Sequence, residues 1–167
     1  MPSELHEALC VKGVTWLKRN GFSVAAMNVW AYGSRERVDC IGYRHQCSVL
    51  IEVKVSKNDF FADNKKPERI SGGVGTYRFY LAPAGMINIS ELPPKWGLLE
   101  FSGRCVKMVH GPTGNLWPAF ENSSGTWQQF SHESDINSER ALLFSIARQA
   151  MISQTGKNIS HPNPVAT

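Results

Sequence analysis

The stretch that decides the fold is Arg37-Val38-Asp39-Cys40-Ile41-Gly42-Tyr43-Arg44-His45-Gln46-Cys47-Ser48-Val49-Leu50-Ile51-Glu52-Val53-Lys54-Val55. Residues 37–43 and 48–55 read as two strands, and Arg44-His45-Gln46-Cys47 reads as the polar turn between them. If Tyr43 pairs with Ser48, the antiparallel register places Ile41 opposite Leu50 and Asp39 opposite Glu52. Alternation then puts Lys54 on the same side as Glu52. Two carboxylates about 5 Å apart, at an effective dielectric of about 20, repel by roughly 3 kcal/mol. A cation between them removes that cost, so the hairpin reads as a divalent-metal site with a lysine beside it. The competing reading is a buried salt bridge of Lys54 with Glu52 or Asp39.

Val49, Ile51, Val53 and Val55 make one face of the second strand apolar, and Leu50 adds to the other. A strand covered on both faces is central in its sheet. Before the hairpin, Ser3 is placed to cap a helix over residues 4–19, with Leu5, Leu9, Trp16 and Leu17 as its buried stripe and Asn20-Gly21 as its end. Residues 23–32 read as a strand. After the hairpin, Ser56-Lys57-Asn58-Asp59 resembles a capping box. The helix it opens spans about 57–66, buries Phe60 and Phe61, and stops at Pro67.

Residues 76–82, 96–101 and 104–110 read as further strands, and 137–152 as an amphipathic helix with Leu142, Leu143, Ile146 and Ala150 inward. The Gly-, Ser-, Asn- and Pro-rich stretch 111–135 looks the least ordered. Ser71-Gly72-Gly73-Val74-Gly75 lacks the Gly-Lys-Ser/Thr of a phosphate-binding P-loop. The expected fold class is α/β, a mixed central sheet with helices on both faces. One domain is expected over 1–152, with a core at about 4–82, an elaboration at 83–152, and a disordered tail at 153–167.

The chain has 167 residues, a net charge of +4 and 42% hydrophobic residues, which suits one globular domain. Its apolar stretches are too short to span a bilayer, so no membrane association is expected. With no basic-then-apolar leader, the expected location is cytoplasmic and the four cysteines are expected to be reduced and without function. No zinc-type Cys or His spacing stands out, and the five histidines are read as incidental. From Lys54 to Arg78 there are six basic residues (Lys54, Lys57, Lys65, Lys66, Arg69, Arg78) against three acidic ones (Asp59, Asp63, Glu68). That excess fits an anionic partner, and equally a solvated helix face.

Asp39 on one strand, followed by Glu52-Val53-Lys54 on the next, resembles the PD-(D/E)XK nuclease superfamily. The element order from Glu4 to Leu81 is similar to that superfamily's core of helix, three strands, helix and strand. The run Ile51-Glu52-Val53-Lys54-Val55-Ser56-Lys57-Asn58-Asp59-Phe60-Phe61-Ala62-Asp63 further resembles the MmcB-like DNA-repair branch and related phage proteins. Val38, not proline, precedes the aspartate. The resemblance covers about half the chain and implies a restriction-endonuclease-like core.

It also implies a metal-dependent deoxyribonuclease in DNA repair, recombination or phage biology, with Mg2+ as cofactor and Mn2+ able to substitute. Asp39, Glu52 and Lys54 would be the catalytic set. Asp39, Glu52 and the Val53 backbone carbonyl would hold the metal, with Glu7 of the first helix as an additional ligand. Glu36 shares the face of Asp39 and reads as solvated. Lys57, Lys65, Lys66 and Arg69 are candidates for DNA phosphates, and Trp30, Tyr32 and Tyr77 for base stacking, against a core role for these aromatics. A homodimer and a host or phage protein partner stay open. The alternative is a non-catalytic nucleic-acid-binding or host-interaction protein on the same fold.

Overall fold

The computed structural model describes residues 2–32, 37–69 and 71–159, the last three by backbone only. Helix α1 spans Glu4–Arg19. Ser3 caps it, its Oγ accepting the His6 N–H at 3.2 Å. Glu4 and Glu7 in the first turn and Lys18 and Arg19 in the last complement the helix dipole. Asn20 donates to Leu17, and Gly21, at φ +83°, turns the chain out of the helix. Leu9, Cys10, Gly13, Trp16 and Leu17 form the buried stripe, while Leu5 lies exposed rather than inward.

Strands β1 (Val24–Val29), β2 (Val38–Tyr43), β3 (Ser48–Val53), β4 (Tyr77–Pro83), β5 (Trp96–Phe101) and β6 (Val106–His110) form one sheet in sequential order. The pairs β1–β2, β2–β3 and β5–β6 are antiparallel; β3–β4 and β4–β5 are parallel. The sheet is therefore mixed, as expected. The hairpin register is the one read from the sequence, with Tyr43 opposite Ser48 and Ile41 opposite Leu50. Every residue of β3 is buried, which makes it the central strand the apolar pattern demanded.

One face of the sheet carries Val49, Ile51, Val53, Phe79 and Leu81 against α1. The other carries Ile41, Leu50 and Tyr80 against Phe60 of helix α2 (Lys57–Asp63) and Leu142 of helix α3 (Ile136–Ile159). Ser56 caps α2, its Oγ accepting the Asp59 N–H at 3.2 Å. This helix ends at Asp63, one turn before the expected stop, and gives way to a 3-10 turn at Pro67–Arg69. Pro67 lacks an N–H and disfavours helical backbone at the residue before it. Phe61, turned about 100° from Phe60 around the helix, falls on the solvent side, and of the two only Phe60 is buried.

Two regions differ from the reading of the chain alone. Segment 111–135 is an aromatic anchor: Trp117, Trp127 and Phe130 are buried among Trp16, Phe22, Tyr77 and Phe79. Its polar composition hides these three side chains, which are spaced too irregularly to show a period. Helix α3 runs on to Ile159, through the beginning of the expected tail; residues 160–167 lie outside the described residues. Leu142 is its buried contact and Ile146 is partly covered, but Leu143 and Ala150 face solvent. The helix touches the sheet through its first turns, where Glu139 accepts hydrogen bonds from Ser48 Oγ and the Gly75 N–H.

Candidate metal and phosphodiester site

The site is built at the end of the sheet where β2 begins and β3 ends. The hairpin pairs as far as Cys40 opposite Ile51, and the next step of the same register sets Asp39 opposite Glu52. Asp39 Oδ2 accepts the Val53 N–H at 2.9 Å, which ties its carboxylate to β3. Lys54 follows directly, its N–H bonded to the Leu81 carbonyl at 2.9 Å, so its backbone is fixed by β4. Three predicted residues from two adjacent strands thus meet at one place.

Around them lies a buried ionic network. Lys54 Nζ is 3.7 Å from Glu52 Oε2 and 3.3 Å from Asp63 Oδ1. Arg69 grips Asp63 in a fork, Nε to Oδ2 at 2.7 Å and Nη2 to Oδ1 at 3.0 Å, and its Nη2 lies 3.5 Å from Glu52 Oε2. The same guanidinium sits 5.2 Å from the Trp96 ring centre. Tyr80 donates its hydroxyl to Asp63 Oδ2 at 2.7 Å. Lys66 Nζ closes on Asp63 Oδ1 at 2.9 Å from the solvent side.

These contacts sort the carboxylates. Burial, and then the charge of Asp39, pushes Glu52 up to about 8, although Arg69 and Lys54 pull the other way. Burial also disfavours the charged form of Asp63, but the Arg69 fork and the two lysines outweigh it and hold Asp63 well below the usual carboxylate range. Glu52 Oε2 faces both cations, whereas Glu52 Oε1 is buried with no hydrogen-bond partner. A buried oxygen without a donor is costly. An oxygen-seeking cation coordinated by Oε1 and by partly exposed Asp39 would satisfy it, so the donor set fits a hard divalent ion. Arg69 joins Lys54 beside Glu52 and offsets part of the hairpin's repulsion from within the protein.

The other predicted residues divide. Glu7 turns to Asn28, whose Nδ2 lies 3.1 Å from Oε2 and 3.5 Å from Oε1. In its stead His6 reaches the site, Nε2 lying 3.4 Å from Asp39 Oδ2. His6 was not distinguishable as a candidate from the spacing of the histidines alone. Its signal is that Ser3 caps α1, which fixes the face His6 shares with Cys10.

Among the phosphate candidates, Lys65 is exposed and Lys66 half-exposed. Lys57 is engaged with Glu91, its Nζ at 2.9 and 3.1 Å from the two carboxylate oxygens. Arg69 departs from the expectation: it is buried and committed to Asp63 and Glu52, because the 3-10 turn after α2 points it inward. Tyr77 is core, with its hydroxyl donating to the Pro118 carbonyl. Trp30 and Tyr32 are exposed and border a groove of about 740 Å³ shared with Arg140, Phe144 and Arg148 of α3. Glu36 lies outside the described residues.

No family model matches the chain, and no curated protein matches it. Among solved structures, the chain is similar to the SPO1766 protein of unknown function from Silicibacter pomeroyi. The TM-score is 0.60 and the identity 20%, over 99% of this chain and 98% of that one. The likeness shows a shared α/β fold across the full length.

Proposed function

We propose that the protein is a divalent-metal-dependent deoxyribonuclease on a restriction-endonuclease-like core, within a single domain over 1–152, acting on DNA in the cytoplasm. The observation that carries this reading is that Asp39 Oδ2 is held at the Val53 N–H, next to Glu52, whose Oε1 is buried and unpartnered and which has Lys54 beside it. Asp39, Glu52 and the Val53 carbonyl would hold Mg2+, with Mn2+ as a substitute. The ion, when bound, activates a water and offsets charge growing on the phosphate.

The chain's own residues do the rest. Lys54 Nζ, held between Glu52 and Asp63, is positioned to orient the attacking water or to stabilise the pentavalent phosphorane. Arg69 and Tyr80 hold Asp63, and Asp63 in turn keeps Lys54 from closing fully on Glu52. Lys65 and Lys66 lie on the solvent side for backbone phosphates. Trp30 and Tyr32, beside Arg140 and Arg148, offer rings and charge for unpaired bases.

A second reading has its own support. Glu52 and Asp63 face Lys54, Lys66 and Arg69, so these two buried carboxylates are balanced by cations without a metal. That balance favours a non-catalytic nucleic-acid-binding module on the same fold.

Cleavage of labelled duplex, single-stranded, flap and junction DNA with Mg2+ or Mn2+ decides between them. Wild type is compared with Asp39→Asn, Glu52→Gln and Lys54→Ala. The nuclease reading expects metal-dependent cleavage that all three changes abolish while folding persists. Salt-sensitive binding without cleavage by any metal would replace it with the binding module.

A further inference from the structure

His6 and Cys10 stand one turn apart on α1 and so share a face. Cys10 Sγ is 3.7 Å from His6 Nδ1, and His6 Nε2 is 3.4 Å from Asp39 Oδ2. One ligand atom from each of the three lies within 4.8 Å of the other two. Helix α1 can come this close to β2 because position 13 is glycine, whose Cβ, if present, would lie 2.9 Å from Cys40 Sγ. The thiol is buried, while His6 and Asp39 keep part of their surface open, which leaves an entry path from solvent.

We propose that His6, Cys10 and Asp39 form a second metal site, for a borderline transition ion of the zinc class. The ligand chemistry selects the ion. Imidazole and thiolate suit Zn2+ or Co2+, and a thiolate ligand disfavours Mg2+, which takes oxygen. Three protein ligands leave one position of a tetrahedral ion for water. Binding displaces the Cys10 thiol proton to solvent, leaving the thiolate sulfur on the metal. The site joins α1 to β2 and fixes the orientation of Asp39, so occupancy stabilises the fold and the carboxylate that faces Glu52. It revises the expectation that all four cysteines are without function. The inference goes beyond the nuclease reading and shares only Asp39 with it.

The test is Co2+ titration of metal-stripped full-length protein, followed by Zn2+ competition. Wild type is expected to show a thiolate-to-cobalt charge-transfer band and a rise in melting temperature on adding Zn2+. Cys10→Ser should lose the band, and His6→Asn, at a partly exposed position, should weaken Zn2+ binding about a hundredfold or more. Glu52→Gln and Lys54→Ala should keep both signals, so that a failed nuclease assay leaves this site standing. A wild-type protein with no charge-transfer band, or unchanged Zn2+ affinity in folded His6→Asn, would overturn the proposal even if Mg2+-dependent cleavage is found.

Discussion

Lys54 Nζ lies closer to Asp63, at 3.3 Å, than to Glu52, at 3.7 Å, although Glu52 is its neighbour on the same strand face. Asp63 comes from the end of α2, so the helix supplies the counter-charge for the lysine of the strand motif. The arrangement makes Asp63 the hub of the network, with contacts to Lys54, Lys66, Arg69 and Tyr80.

Replacing Asp63 with asparagine would therefore leave buried Arg69 without its main partner and Lys54 with Glu52 alone. Breaking one member of a buried ion pair costs about 3–5 kcal/mol. Asp63→Asn is expected to destabilise by that amount in urea unfolding, far more than Lys66→Ala, whose ammonium is half in solvent. Equal and small losses for both variants would show that Asp63 is not the hub.

The strand half of this site was legible from the chain, and the helix half was not. Alternation fixes which side Asp39, Glu52 and Lys54 face once the Tyr43–Ser48 turn is placed, because a slip of one residue would bury polar groups in the α1 core. Arg69 was read as a candidate for DNA phosphates, and Asp63 as the end of the quoted run and a member of a mixed charge run, not as partners in a buried network. Their inward turn depends on where α2 stops and on the Trp96 ring, 27 residues beyond Arg69 in the chain. The aromatic anchor of 111–135 escaped for a similar reason: Trp117 is buried against four rings from other elements, and no local period announces it.

His132 gives the fold an acid-sensitive point outside the carboxylate network. Burial, and then the charge of Arg78, lowers it to about 3, and its Nε2 lies 3.1 Å from the Lys95 carbonyl. A histidine that protonates more readily when unfolded stabilises the protein above its unfolded value of 6.5, and that contribution is lost as pH falls toward 3. Between pH 6.5 and about 4.5, wild-type stability should fall by up to ~1.4 kcal/mol per pH unit more steeply than His132→Gln. Parallel pH profiles by denaturant titration would show that His132 titrates normally.

Lys65 is the phosphate candidate whose ammonium is exposed and carries no carboxylate partner among the described residues. If it neutralises one phosphate, Lys65→Ala should reduce the slope of log K against log salt by about 0.9 on duplex DNA. Lys57→Ala should change the slope less, because Glu91 already neutralises Lys57 in the free protein. An unchanged slope in Lys65→Ala would remove this lysine from the binding surface.

Gly13 sets how closely α1 approaches the strand that carries Asp39. A methyl group there would lie 2.9 Å from Cys40 Sγ and 3.5 Å from Leu81 Cδ2. Alanine is better in a helix by about 1 kcal/mol, but overpacking a filled core costs about 1–3 kcal/mol. Gly13→Ala alone should therefore be neutral to destabilising. In a Cys40→Ala background the sulfur is gone, the clash is relieved, and the same change should stabilise by up to about 1 kcal/mol. The double-mutant cycle separates this steric account from a loss of α1 packing in general. Additive effects of the two changes would show that the Gly13–Cys40 contact does not fix the helix-to-strand distance.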